Sequence, residues 1–532
     1  DEAIRLNPEY VDAWSNKGVA FSELHRYQEA LACYDEAIRL NPEYVDAWSN
    51  KGFAYTKLKI YDSAVLSFER AIKLKSCRDF LLGFLMHARM HLCDWTNYQT
   101  NVQRLSAAIL SREKVSYPFA VIALCESEEV NWQAAKILVS EQYPAVGGAK
   151  NFKKNTSHPQ KICIGYFSAD FHNHATAHLM AELFELHDRS RFEVIAFSFG
   201  PSEDGSMRRR LINAFDKFID VRNMGDAEIA NLSRSLGVHL ALDLKGFTED
   251  ARPGIFANRA APIQINYLGY PGSMGAEYMD YIIADKTLIP KENQQFFSEK
   301  IVYLPRSYQP NDRKRVVAAN NLRRADFGLP ENAFVFCCFN NSYKITPSTF
   351  DAWMNILHHV DHGVLWLLKG HNGSTENLRM EASKRGISGS RLIFADRVSS
   401  PEHLARHSLA DLFLDTLPYN AHTTASDALR VGLPVLTLMG KTFSGRVGAS
   451  LLRAVDLSEL ITYSSEEYIS TAVELVENIE RLSRVKEELQ RDILSKPLFD
   501  TPILVKYLED AYSRIHQRWI AGVLPNHLYI DQ

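Results

Sequence analysis

Cysteine is sparse and unpatterned in this 532-residue chain: Cys33, Cys77, Cys93, Cys125, Cys163, Cys337 and Cys338 are odd in number and show no CxxC spacing. Neither a disulfide framework nor a thiolate metal site follows from them, and a reducing, cytoplasmic setting is expected. No apolar run is long enough to span a bilayer, and DEAIRLNPEY lacks the basic-then-apolar pattern of a signal peptide. The net charge of −4 gives no global attraction to nucleic acid or anionic lipid. A local basic stretch such as Arg208, Arg209 and Arg210 is expected to be a solvated helix face. Three nucleotide signatures are missing as well. There is no GxGxxG, no GxxxxGK[ST], and no pair of aspartates two residues apart, so a dinucleotide Rossmann enzyme, a P-loop ATPase and an acidic-pair metal-dependent glycosyltransferase are all unsupported.

What is present begins with a repeat. DEAIRLNPEYVDAWSNKG starts at Asp1 and recurs word for word at Asp35, a 34-residue period. Trp14, Gly18, Phe21, Ala30, Tyr34, Ala37 and Pro42, then Trp48, Gly52, Tyr55, Ala64, Phe68 and Ala71, fall at the small, large and turn positions of tetratricopeptide helix pairs. Small residues let paired helices approach, aromatics fill the gaps and proline ends the second helix. Such an arm holds peptides or partner proteins, or merely scaffolds. A chain that opens inside a repeat is expected to be part of a longer protein.

The expected organisation is repeats over 1–75, transition helices and linker over 76–155, an α/β domain over 156–312, an interdomain linker over 313–329, a second α/β domain over 330–490 and C-terminal helices over 491–532. GGAKNFKKNTSHPQ marks the clearest linker. Beyond it, KICIGYFS, FEVIAFSFG, VHLALDLKG, IQINYLGY and DYIIADKTLI, then FVFCCFNN, VLWLLKG, RLIFADRV, LFLDTL and PVLTLMG, alternate with helical segments. That texture predicts two doubly wound parallel domains facing across a cleft, with ligands beyond the strand C-termini. The fold class is therefore α/β with an all-α N-terminal region.

In DTLPYNAHTTASDALRVGLPV a strand ends and His422, Thr423 and Thr424 open a helix, which makes an anion site or a simple threonine cap. Lys344 in NNSYKITPS follows a strand of the same domain and is placed to neutralise phosphate. SADFHNHATAH puts Asp170, His172, His174 and His178 after the leading strand. The HNH spacing differs from HExxH, so an acid/base or substrate-binding role is favoured over metal. Gly269, Pro271, Gly272 and Gly275 in LGYPGSMGAEYMDY allow close backbone approach to a ligand or form a plain turn.

Together, SADFHNHATAHLM, APIQINYLGYPGSMGAEYMDYIIAD, CFNNSYKITPST, PEHLARHSLADLFLDTLPYNAHTTASDAL and GRVGASLL, preceded by the repeats, resemble the O-GlcNAc transferase family over nearly the whole chain. The resemblance implies two Rossmann-like domains in the GT-B arrangement and inverting, metal-independent transfer of GlcNAc from UDP-GlcNAc to protein Ser or Thr, with no cofactor. It implies that Lys344 binds the diphosphate with His422, Thr423 and Thr424, that Asp427 binds ribose, and that His403 and Arg406 contact uracil. Asn341 and Val398 are counted with the UDP-sugar contacts. His174 and Asp170 fall at active-site positions, and Thr176, Leu268 and Gly269 near the sugar.

Several positions depart from the animal members. Asn341 replaces a glutamine, Ser400 a ribose-holding lysine and Tyr419 a cysteine of the N-acetyl pocket, a histidine is lost near Val121, and the large insertion between catalytic domains is missing, a bacterial pattern. Tyr419 keeps UDP-glucose or another donor open, and an inactive UDP-sugar-binding scaffold is the rival from another class. Protein or peptide acceptors are the expected partners, with no nucleic acid or membrane, and self-association is left open.

Overall fold

A computed structural model describes residues 1–74, 79–147, 161–319, 322–491 and 493–531. The expected linker GGAKNFKKNTSHPQ, apart from Gly147, lies outside the described residues, as does Cys77.

The repeat pairs helix Val11–Glu23 with Tyr27–Leu40 and Val45–Lys57 with Tyr61–Leu74. A Cβ on Gly18 would lie 2.4 Å from the Tyr34 ring, and one on Gly52 would lie 2.4 Å from that of Phe68, so these glycines are the crossing points of the two pairs. Trp14 Nε1 donates to the Pro8 carbonyl at 2.8 Å, and Trp48 Nε1 donates to that of Pro42 at 2.9 Å, the same bond one period on. Helix Leu81–His91 continues the stack, setting Phe84 against Phe53 at 4.4 Å between ring centroids. The connecting helices Tyr98–Leu110, Pro118–Ile122 and Glu128–Gln142 follow.

The first sheet is built from β1 (Ile162–Ser168), β2 (Phe192–Ser198), β3 (Lys217–Asp220), β4 (Leu240–Asp243), β5 (Ile263–Asn266), β6 (Tyr281–Asp285) and β7 (Lys300–Leu304). The second contains β8 (Phe334–Cys338), β9 (Gly363–Leu368), β10 (Leu392–Ala395), β11 (Leu412–Leu414), β12 (Val435–Leu438) and β13 (Ile461–Thr462). The chain then returns, and β14 (Leu528–Tyr529) pairs with β7 in the first sheet. The spatial orders are 14-7-6-5-4-1-2-3 and 10-9-8-11-12-13, with parallel pairing throughout.

Strands rich in Val, Ile, Leu and Phe are buried on both faces, as parallel sheets covered by helices require. Strand order reverses between β1 and β4 and again between β8 and β11. Open α/β sheets bind ligands at such switch points, so the turns after these four strands are the ones to inspect.

Helix Thr501–Ile520 packs back on the first domain, where Glu509 meets buried His187 at 3.0 Å. The solvated-face expectation for the arginine run is corrected. Arg208 is buried and donates to the Phe171 carbonyl and Ser198, Arg210 joins Glu185 and Asp312, and Arg209 alone of the three is an exposed ion-pairing residue. Among the described residues no helix is long and apolar enough to cross a membrane.

Candidate active site

The turn after β11 is folded by a buried carboxylate. Asp415 accepts the backbone N–H groups of Thr416 (2.8 Å) and Ala421 (2.6 Å) and the Thr437 hydroxyl (2.7 Å), while burial raises its pKa to about 6. The chain is thereby turned so that His422 caps helix Thr423–Arg430. Asn340, after β8, ties the two turns together: its Nδ2 donates to Thr416 Oγ1 at 2.8 Å and its Oδ1 accepts from Thr424 Oγ1 at 2.5 Å.

Lys344 rises from the same β8 turn into this frame. It is buried, its Nζ donates to the Asn420 carbonyl at 2.9 Å and lies 3.6 Å from the centroid of the Tyr419 ring. Burial lowers its pKa to about 7, against the opposing pull of Asp415 and Cys338. Burial also pushes His422 well down, and its buried Nε2 has no partner. An ammonium, a helix N-terminus and an orphaned imidazole nitrogen on one wall make an anion cradle. Behind it, Tyr419 packs edge-on to Phe119 and Tyr343 at 6.3 Å each, and the Ser342 hydroxyl donates to the His91 carbonyl, so the connecting helices buttress the lysine turn.

Asp427, one turn into the same helix, is buried and ion-paired with Arg315. His403 Nε2 stands 3.8 Å from its other oxygen, and His403 Nδ1 takes a 2.6 Å bond from Arg406. Burial and then His407 push the His403 pKa to about 2. Arg406 is buried over Phe339 and donates to the Asp396 carbonyl, which makes it a support for His403. Val398 is 41% exposed at the rim, and Asn341 turns its amide oxygen to Arg397 at 2.9 Å rather than into the cradle. Ser400, at the missing-lysine position, accepts from Arg315 at 3.3 Å.

In the first domain Ser168 closes β1 and its hydroxyl accepts Asp170 N–H at 2.9 Å. Asp170 is buried and held by Lys245 Nζ at 2.8 and 3.0 Å and by Thr176 Oγ1 at 3.2 Å. His174 caps helix Ala175–Leu186, with Nδ1 accepting Thr176 N–H at 3.2 Å and lying 3.4 Å from Asp170 Oδ2. Burial lowers its pKa, Asp170 opposes that and Lys245 adds to it. His178, bonded to Asn173 at 2.8 Å, is lowered to about 4 by burial and then by Arg315, so this turn and the Arg315–Asp427 pair feel each other across the cleft. His172 keeps a buried Nδ1 without a hydrogen bond. Leu268 has φ +69°, and a Cβ on Gly269 would lie 2.0 Å from the Leu244 carbonyl oxygen, so the third turn presses its backbone onto the one that carries Lys245. Among the described residues no group of three or more His, Cys, Asp or Glu is placed to hold a metal ion.

The expected residues thus fall on the turns and helix starts after β1, β8 and β11, with Leu268 and Gly269 after β5 and Val398, His403 and Arg406 after β10. Two residues that sequence reasoning did not single out, Lys245 and Arg315, hold the two key carboxylates. Lys245 stands in the quoted VHLALDLKG directly after a strand, the position that marks site residues. Arg315 sits in the charged stretch between domains, where nothing in the sequence distinguishes it from its neighbours.

Residues 92–323 and 316–508 match the model of Glycosyl transferase family 41, and residues 11–44 and 45–76 match tetratricopeptide repeats. The chain is 37% identical over 377 residues to a probable UDP-N-acetylglucosamine–peptide N-acetylglucosaminyltransferase of Arabidopsis thaliana, covering 70% of this chain and 39% of that one. It is 27% identical over 565 residues to the corresponding Caenorhabditis elegans enzyme, covering 82% of this chain and 49% of that one, so it spans less than half of either relative. A mutant of the Thermobaculum terrenum O-GlcNAc transferase superposes with a TM-score of 0.79 at 25% identity, covering 96% of this chain and 98% of that one. With its family match running through both α/β domains, the chain belongs to glycosyl transferase family 41.

Proposed function

We propose that this chain transfers N-acetylglucosamine from UDP-GlcNAc to Ser or Thr hydroxyls of proteins, with inversion and without a metal. The observation that carries the reading is the buried Lys344 beside the start of helix Thr423–Arg430, with the unpartnered His422 Nε2 on the same wall. As the bond from the anomeric carbon to the diphosphate oxygen breaks, the electron pair leaves with UDP. Lys344 and the helix N–H groups meet that charge in a water-poor site where fixed donors act strongly. Asp427 takes the ribose hydroxyls and His403 the base.

On the opposite side the acceptor hydroxyl must lose its proton. Asp170 is occupied by Lys245 and Thr176, whereas the lowered pKa of His174 keeps its imidazole neutral at pH 7. Nδ1 of that ring accepts the Thr176 N–H, so Nε2 carries the ring proton, and His174 acts as base once the tautomer is reversed, with Nδ1–H turned to Asp170 Oδ2 at 3.4 Å and Nε2 freed. The repeat arm and the cleft hold the protein acceptor, and the six described cysteines, all free and buried, suit a reducing cytoplasm.

A second reading is favoured by Tyr419, whose ring covers Lys344 and joins Phe119 and Tyr343 in one aromatic wall. A wall this bulky suits UDP-glucose or another sugar without the acetamide. Intact-mass analysis of an acceptor pool with UDP-GlcNAc and UDP-glucose offered separately in EDTA decides. An N-acetylhexosamine step supports the main reading, a hexose step the second, and loss of all transfer on chelation contradicts metal independence.

A further inference from the structure

The stretch between the two domains behaves as part of the site. Arg430 donates to the carbonyls of Arg313 (2.7 Å) and Arg315 (2.9 Å), and Ala318 N–H donates to the Pro401 carbonyl (3.1 Å), so the backbone around Arg315 is fixed on both sides. The side chain is 6% exposed. One terminal nitrogen pairs with Asp427, itself 6% exposed, and the other stands 3.3 Å from Ser400 Oγ. Its Nε is buried and unpartnered, as are Arg430 Nη1 at the end of helix Thr423–Arg430 and Nε2 of His422, which precedes that helix.

Three buried donors along this helix, from His422 at its start to Arg430 at its end, lack partners, where buried polar groups are ordinarily satisfied. The nearby carboxylates do not absorb them. Asp312 is engaged by Arg210, Glu182 by Arg313, and Asp427 has only one of its oxygens taken by Arg315. A polar, anionic ligand fits such a surplus of donors beside one half-free carboxylate.

We infer that Arg315 is a nucleotide-positioning residue: it clamps one oxygen of Asp427, turns the other to the ribose hydroxyls, and adds its charge to that of Lys344 in attracting the diphosphate. This rests on the nucleotide-sugar reading above. A planar fork with several donors can grip a carboxylate and still face a ligand, which a lysine ammonium does less well.

The test is titration calorimetry of the full chain with UDP, 2′-deoxy-UDP and uridine. Wild type should prefer UDP to 2′-deoxy-UDP by about tenfold, the worth of a hydrogen bond to a charged group. In Arg315→Met the UDP affinity should fall about 10- to 100-fold and the ribose preference collapse towards unity, with the donor KM rising more than kcat falls. Arg315→Lys should recover part of the affinity and less of the preference, and Arg209→Met should match wild type. If Arg315→Met does not fold, Arg315→Lys carries the test: its ribose preference should fall below that of wild type with the donor KM raised more than kcat is lowered, and an unchanged preference overturns the inference.

Unchanged affinity and preference in Arg315→Met would overturn the inference while leaving the nucleotide-sugar reading intact. Tighter UDP binding would also overturn it, by showing that the ion pair blocks the site. A wild type that binds neither UDP nor uridine sinks both.

Discussion

Replacing Lys344 by methionine should stabilise the protein while disabling its nucleotide site. Burial lowers the lysine pKa from 10.5 to about 7, and at ~1.4 kcal/mol per unit this is roughly 5 kcal/mol against the ammonium in the folded state. Contacts made in the folded state are contained in that shift, so the burden on the ammonium is roughly 5 kcal/mol. The unfolded chain binds the proton more tightly than the folded one between pH 7 and 10.5, so the burden is full below pH 7 and fades as pH rises towards 10.5. Methionine fills a similar volume without the charge. Urea unfolding of wild type and Lys344→Met from pH 6.5 to 10 should give a stability gain of up to about 5 kcal/mol at the acid end that shrinks at the alkaline end, while saturating UDP stabilises wild type alone. A Lys344→Met protein less stable at pH 6.5, or a gain that ignores pH, refutes the reasoning.

Lys245→Met removes a cation that depresses His174, so the His174 pKa should rise; NMR titration of the ring and the acidic limb of the pH–rate profile should both move to higher pH. Glu128, buried and accepting Phe443 N–H, has its pKa raised from 4.5 to about 7. The folded state holds that proton more tightly, so this group's stability contribution falls as pH rises from about 4.5 to 7, by roughly 3 kcal/mol at ~1.4 kcal/mol per unit. Glu128→Gln should flatten that slope in thermal melts. Gly269→Ala drives a Cβ into the Leu244 carbonyl and shifts the backbone carrying Lys245; it should cost about 1–3 kcal/mol in unfolding experiments and reduce turnover more than UDP affinity.

The repeat arm was legible because a word-for-word period fixes which small residues oppose which rings, and Gly18 with Tyr34 and Gly52 with Phe68 meet as the spacing implies. The two parallel domains were legible from buried strand runs. Strand order was not, since β14 joins β7 across more than two hundred residues and no local pattern announces such pairing. On the site, chemistry clustered after strands pointed to Lys344, His422 and Asp170. The partners that hold them escaped. Arg315 pairs with Asp427 over 112 positions and Lys245 with Asp170 over 75, and a charged residue looks the same in sequence whether solvated or clamped. The misread arginine run is the same lesson, because Arg208 is drawn inward by the Phe171 carbonyl 37 positions back and Arg210 by Asp312 102 positions on.

The most direct test of the central claim is UDP release from UDP-GlcNAc in the presence of a protein acceptor pool and EDTA, wild type against Lys344→Ala. The account predicts acceptor-dependent release by wild type, with a matching mass gain on the acceptor, and at least a hundredfold less from the variant, on the order of the loss when one preorganised charge-stabilising donor is removed. Nucleotide binding by wild type without any acceptor-dependent release, or release that survives in Lys344→Ala, would contradict it.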